Sequence, residues 1–226
     1  MSISQNTLSF HSRVKNTLIQ CAEIYNSFYV KYDYLIIADA FKKNPYYIIS
    51  AQEDNYLHLT GVSTNLSAKQ FFHKCISKTL SESDFKLKTH GKSEKDSKGT
   101  IRQKIRNLPL ISYNINSSCL IQENFKHNAV LCSFASSTAK CTLGFIASPD
   151  ITRPLSLLNG DIVDHSVATP IKLCLSKPQG VPQFNKIEIG TIHDLSCNYQ
   201  LLKGKISKKL VLEIMKYRIK QIACAV

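Results

Sequence analysis

His58 and Thr60 are the residues whose types and spacing first suggest chemistry. They stand in the stretch 55–62, Asn-Tyr-Leu-His-Leu-Thr-Gly-Val, between a strand-like apolar run and a helix-like one. On an extended chain, side chains two apart emerge from the same face, which would hold an imidazole beside a hydroxyl. Imidazole titrates near neutrality, so such a pair suits proton transfer or phosphate binding. A hydrogen-bonded turn is the plainer use of the same residues. Further along, Ile101, Ile105 and Leu108 recur at helical spacing and leave Arg102 and Arg106, four apart, on a shared side. Paired guanidinium groups suit phosphate, although a solvated charged face is what most such runs are.

The other histidines, at 11, 73, 90, 127, 165 and 193, have no supporting motif. The eight cysteines include no Cys-x-x-Cys pair, and no histidine stands at zinc-finger distance from one. No metal site, disulfide framework or cofactor is therefore expected, and the cysteines read as small buried hydrophobes. No nucleophile elbow, phosphate-binding glycine loop or dinucleotide glycine pattern appears.

The charge narrows the partners. With 29 Lys and Arg against 16 Asp and Glu, the formal charge is +13. Such a balance favours polyanions, because neutralising phosphates releases their counterions. No apolar run approaches the roughly 20 residues that span a bilayer, and the first residues lack a basic patch followed by an apolar stretch. A cytoplasmic protein with no membrane partner is expected.

The elements that must position these residues follow from periodicity. Val14, Leu18, Cys21, Tyr25 and Phe28 recur at three- and four-residue steps, predicting a helix from about 12 to 29. Two β-rich runs, 34–38 and 46–50, flank the basic turn Lys42-Lys43-Asn44-Pro45 and read as antiparallel strands. Ser67 is placed to cap a helix carrying Ala68, Phe71, Phe72, Cys75 and Ile76. Residues 86–100 form a lysine-rich, flexible insert with almost no apolar content. Beyond it, 129–134 and 141–146 read as strands around Ser136-Ser137-Thr138, and 153–162 as a looped connection with a turn at Asn159-Gly160. Residues 170–175 and 184–189 complete a hairpin, and 205–223 form a terminal amphipathic helix whose better reading is packing on the sheet. The order of elements implies α+β.

Several of these segments together resemble the phage-associated nucleases of the Barnase–EndoU–Colicin–RelE-like (BECR) group, specifically its fourth family. The likeness is carried by 56–62 with 67–75, by Gly-Thr-Ile-Arg-Gln-Lys at 99–104, by Leu143-Gly144-Phe145, and by 154–162. The resemblance implies an N-terminal helix packed on a twisted, mainly antiparallel β-sheet, with the C-terminal amphipathic helix added. It divides the chain into a nuclease domain at 10–195 and a helical extension at 196–226. It also implies a metal-independent endoribonuclease of the toxin or mobile-element kind, in which the 2′-hydroxyl of RNA attacks the adjacent phosphorus. His58 matches the family histidine as general acid or base, and Thr60 the adjacent hydroxyl. Lys104 matches the basic position of the Arg-Gln-Lys element, with Arg102 close by, for stabilising the charged transition state. Asp161 and, more weakly, Ser156 match supporting positions, with a capping or turn role an equal reading for Asp161. The partners implied are RNA and an acidic antitoxin or immunity protein; the oligomeric state stays open.

Two alternatives share these residues. One is a nucleic-acid-binding protein of the same fold without chemistry. The other is an ADP-ribosyltransferase-like enzyme, which would use nicotinamide dinucleotide and want a late glutamate, for which Glu188 is the candidate.

Overall fold

The computed structural model of the chain describes residues 8–88, 94–149 and 151–223. Gly91, Lys92 and His90 of the insert and Cys224 lie outside the described residues.

The chain opens with the helix Phe10–Tyr25 (α1), capped by Ser9, whose hydroxyl accepts from the Ser12 amide at 3.0 Å. Its buried residues include Val14, Leu18, Cys21 and Tyr25 of the predicted stripe, with Ala22 beside them. Phe28, expected to continue the stripe, is exposed because the helix widens after Tyr25. The helix continues as a π-helical turn over Asn26–Val30. The strands Tyr32–Ala38 (β1) and Tyr47–Ile49 (β2) then pair antiparallel, as expected. The next three elements are a short helix, Asn55–Thr60 (α2), the strand Ser63–Thr64 (β3) and the helix Ala68–Ile76 (α3). Ser67 caps α3 in a reciprocal box with Gln70. Phe85–Lys86 (β4) pairs with β3.

The helix Glu94–Asn107 (α4) begins well before the Ile101 stripe predicts. Half of the lysine-rich segment is therefore helix rather than flexible insert. Next come the strands Leu120–Glu123 (β5), Lys126–His127 (β6), Val130–Leu131 (β7), Phe134–Ser137 (β8), Cys141–Ala147 (β9), Thr152–Asn159 (β10), Thr169–Pro178 (β11) and Lys186–Ile189 (β12). The chain closes with helices Ile192–Cys197 (α5), Tyr199–Leu202 (α6) and Lys208–Ala223 (α7).

The α+β class holds, but the sheet is a closed barrel rather than an open twisted layer. Seven strands run in the order β1-β2-β10-β9-β8-β5-β11, and β11 pairs back onto β1. The length of β11 makes closure feasible. One edge takes β1 along its length, while the other is shared by β5 near Thr169 and by β12 near Cys174. Closure leaves few unpaired edges. The pairings are antiparallel except β2 with β10. Two local readings also change. Ser136 and Ser137, expected in a turn, belong to the strand β8, and 153–159, expected as part of the connection 153–162, belong to the long strand β10.

Alternation along β1 separates the two faces of the barrel wall. Tyr34, Ile36 and Ala38 join the main core with α1, α2, α3 and α4, whereas Leu35 and Ile37 join Leu173, Leu175, Leu202, Leu210 and Ile214. The terminal helix α7 therefore packs on the sheet through Leu210 and Ile214. Six of the seven described cysteines are buried, and burial pushes the Cys21 and Cys75 thiols up to about 12.

Candidate functional site

The segment carrying His58 is helical, and this changes which side chains can meet. Tyr56, Leu59 and Thr60 are buried, at the i, i+3, i+4 positions of one face. Tyr56 anchors that face by donating its hydroxyl to the Leu18 carbonyl at 2.6 Å. His58 lies two residues from both Tyr56 and Thr60, about 200° around the helix, and is exposed. The expectation that His58 and Thr60 share a face is therefore wrong, because it assumed extended backbone. The Thr60 hydroxyl donates to the Leu57 carbonyl at 2.7 Å and accepts from the Val62 amide at 3.3 Å. Thr60 serves the hydrogen-bonded turn, and Gly61, at φ 76°, ends the helix in the left-handed conformation.

Lys104 comes to this turn from α4. Its ammonium donates to the His58 carbonyl at 2.8 Å. The last carbonyls of a helix lack intrahelical donors and form the negative end of its dipole, so a lysine is favoured there. The lysine stem crosses directly over Gly61, where an added Cβ would lie 2.8 Å from Lys104 Cδ. Gly61→Ala should therefore cost about 1–2 kcal/mol from the left-handed backbone, with the clash added. It should also displace Lys104. Equilibrium urea unfolding checks this, and a loss below about 0.5 kcal/mol would contradict it.

Arg102, two residues earlier on α4, faces elsewhere. Its guanidinium lies 5.1 Å from the Phe10 ring centre, with Arg13 5.8 Å from the same centre. Arg102 also lines an open depression of about 550 Å³ with Lys95, Lys98 and Gly99. Arg102 and Arg106 are both exposed, as their spacing predicts. Their helix thus presents a basic surface beside the His58 turn.

The remaining candidates are placed apart. Ser156 is buried in β10, at the register shift where it faces Gly144. Asp161 accepts from Ser137 Oγ at 2.6 Å with one oxygen and meets His165 Nε2 at 2.9 Å with the other. Ser137 in turn meets Thr142 at 2.7 Å, and Thr142 donates to the Gly160 carbonyl at 2.8 Å. The cluster fixes the turn after β10 and orients His165. Sequence reasoning passed over that histidine, although its four-residue spacing from Asp161 was visible. Among the described residues no group of three or more His, Cys, Asp or Glu side chains converges as metal ligands.

Residues 17–148, more than half of the chain, match the family model described as phage-Barnase-EndoU-ColicinE5/D-RelE like nuclease4. The chain belongs to this nuclease family. No curated protein and no solved structure matches it. The stretch matched to this nuclease family contains His58, Thr60, Arg102 and Lys104 and leaves Ser156 and Asp161 outside. It holds five of the seven barrel strands; β10 and β11, which close the wall, lie beyond it. Membership supports nuclease activity and a nucleic acid as substrate. No helix among the described residues is long and apolar enough to cross a membrane.

Proposed function

We propose that the protein cleaves RNA without a metal ion, by turning the substrate's own 2′-hydroxyl on the adjacent phosphorus. The O2′–P bond forms as the P–O5′ bond breaks. The 2′ proton leaves to a base, and the departing oxygen takes a proton from an acid. His58 is assigned to proton transfer in this exchange. The observation that carries the reading is the seating of Lys104 on the His58 carbonyl, 46 residues away in sequence. It ties the backbone that carries an exposed imidazole to a basic helix. Lys104 is a positioning residue that also keeps positive charge where the phosphorane would form. Arg102, with a planar fork, binds a flanking phosphate. Thr60 acts through the turn it closes. Ser156, buried in the wall, and Asp161, bonded to Ser137 and His165, are read as structural.

The nuclease domain is assigned to 10–195, with 196–226 as a helical extension whose Leu202, Leu210 and Ile214 pack on the sheet, and the site of action to the cytoplasm. A nuclease acting there on cellular RNA needs an inhibitor, and the charge of +13 favours an acidic antitoxin or immunity protein. Incubating the protein with a defined oligoribonucleotide in EDTA tests the cleavage reading. Products ending in a 2′,3′-cyclic phosphate, with cleavage blocked by a single 2′-deoxy substitution at the cut site, are expected. Equal cutting of the 2′-deoxy strand, or cutting only after a divalent cation is added, would overturn it.

A further inference from the structure

The helix α1 does not end where its ordinary hydrogen bonding ends. Over Asn26–Val30 it widens, and the Lys31 amide closes an i→i+5 bond to the Asn26 carbonyl at 3.0 Å. Such turns are rare and often occur where a side chain has a functional task. Here Tyr29 stays inside, stacked on Tyr25 with centroids 5.5 Å apart, and donates its hydroxyl to the Ile111 carbonyl at 2.8 Å. Phe28, one residue back, is left 47% exposed. Across from it Tyr32, the first residue of β1, is 39% exposed.

Both rings line one cleft of about 390 Å³, together with Ser27, Tyr34, Lys186 and Glu188. Glu188 accepts from Ser176 at 2.6 Å and holds the Lys186 ammonium at 2.9 Å. Of the three large aromatic side chains left exposed among the described residues, Phe28, Tyr32 and Tyr113, the first two line this cleft together. Two exposed aromatic rings in one cleft need an explanation, because each could gain by burial. An ammonium and a carboxylate beside flat apolar faces can recognise the edge of a planar, hydrogen-bonding ring.

We propose that this cleft is a nucleobase subsite, taking an unpaired base of the bound strand against Phe28 and Tyr32. The Lys186–Glu188 pair lies at its edge. The inference rests on the RNA reading above but uses none of the residues assigned to chemistry. Stacking on aromatic side chains tolerates every base, so the subsite would hold a single strand without dictating its sequence. It also excludes duplex, whose bases are already stacked.

The test uses the full chain and a fluorescent 2′-O-methyl oligouridylate, which cannot supply the 2′-hydroxyl. Its affinity is compared with that of an abasic strand of equal length. Wild type should bind the base-bearing strand about ten- to a hundredfold more tightly than the abasic one. The double variant Phe28→Ala with Tyr32→Ala should lose that difference, whereas Phe28→Tyr should retain it. Equal affinity for the two strands, or unaltered binding by the double variant with cleavage intact, would overturn the subsite alone. Absence of both oligonucleotide binding and cleavage would remove the RNA reading and the subsite with it. Binding of nicotinamide dinucleotide in place of the strand, lost in the same variant, would replace the proposed ligand.

Discussion

Replacing His58 by alanine should lower RNA cleavage by about a hundredfold to ten-thousandfold, the range that positioned proton transfer contributes. The folded state should hardly notice. His58 is exposed on α2, while Tyr56, Leu59 and Thr60 carry the burial of that helix. Surface substitutions of this kind stay within about 0.5 kcal/mol. Initial rates on a defined oligoribonucleotide in EDTA, paired with a thermal melt, separate the two effects. Cleavage within threefold of wild type would remove His58 from the chemistry. Lys104→Met is the companion variant. The methionine keeps most of the stem over Gly61 but removes the charge and the bond to the His58 carbonyl. A positioning and electrostatic role should appear as a smaller loss of rate with an altered pH profile, which packing alone would not produce.

The largest stability effect is expected at Glu123, which is not among the residues assigned to chemistry. This β5 carboxylate is 9% exposed and accepts from the backbone amides of Lys42 at 2.7 Å, Lys43 at 2.9 Å and Asn44 at 3.4 Å. It also accepts from the Tyr47 hydroxyl at 2.7 Å. Burial by itself would raise its pKa, but the donated hydrogen bonds outweigh it and hold the carboxyl below its usual value. Tyr47 moves the other way, pushed up to about 12 mainly by burial and also by this bond, so it remains a donor. Glu123→Ala strands three amides and a hydroxyl and should cost about 3–5 kcal/mol, while Glu123→Gln should cost less. Urea unfolding followed by far-ultraviolet dichroism measures both, and a loss under about 1 kcal/mol for the alanine variant would refute the account. Because the folded-state value is depressed, this stabilisation is complete above the unfolded value of 4.5 and is lost as pH falls below it. The gap between each variant and wild type should therefore narrow in acid.

Glu123 also shows where reading the sequence stops. The turn it closes, Lys42-Lys43-Asn44-Pro45, was legible from its residues, as were the strands on either side. Its acceptor stands about 80 positions away, and nothing local to either segment points to the other. The same holds for Lys104 and the His58 carbonyl. The basic helix and the histidine motif were each visible, but the bond between them depends on how α2 and α4 pack on the barrel.

Periodicity sufficed for α1 as far as Tyr25, the capped start of α3, the β11–β12 hairpin and the packing of α7 through Leu210 and Ile214, because these signals are local. Phe28, Met215, Ile219 and Ile222, which continue the stripes, are exposed. The nuclease family came from the resemblance of the motifs at 56–62, 67–75, 99–104 and 143–145, which lie within the matched stretch, while 154–162 lies outside it. Periodicity failed at α2, where six residues fit strand and helix alike and the burial of Tyr56 and Thr60 decides for helix. It failed at β10, where a proline and a turn signal suggested a connection, although β9 supplies a complete antiparallel partner. The sequence by itself thus determined most of the local elements, the family resemblance and the basic character. Only the tertiary structure decided the barrel closure, the burial of Thr60 and the meeting of Lys104 with the His58 turn. Those three depend on long-range pairing and packing, and a stretch of chain carries no record of what is folded against it.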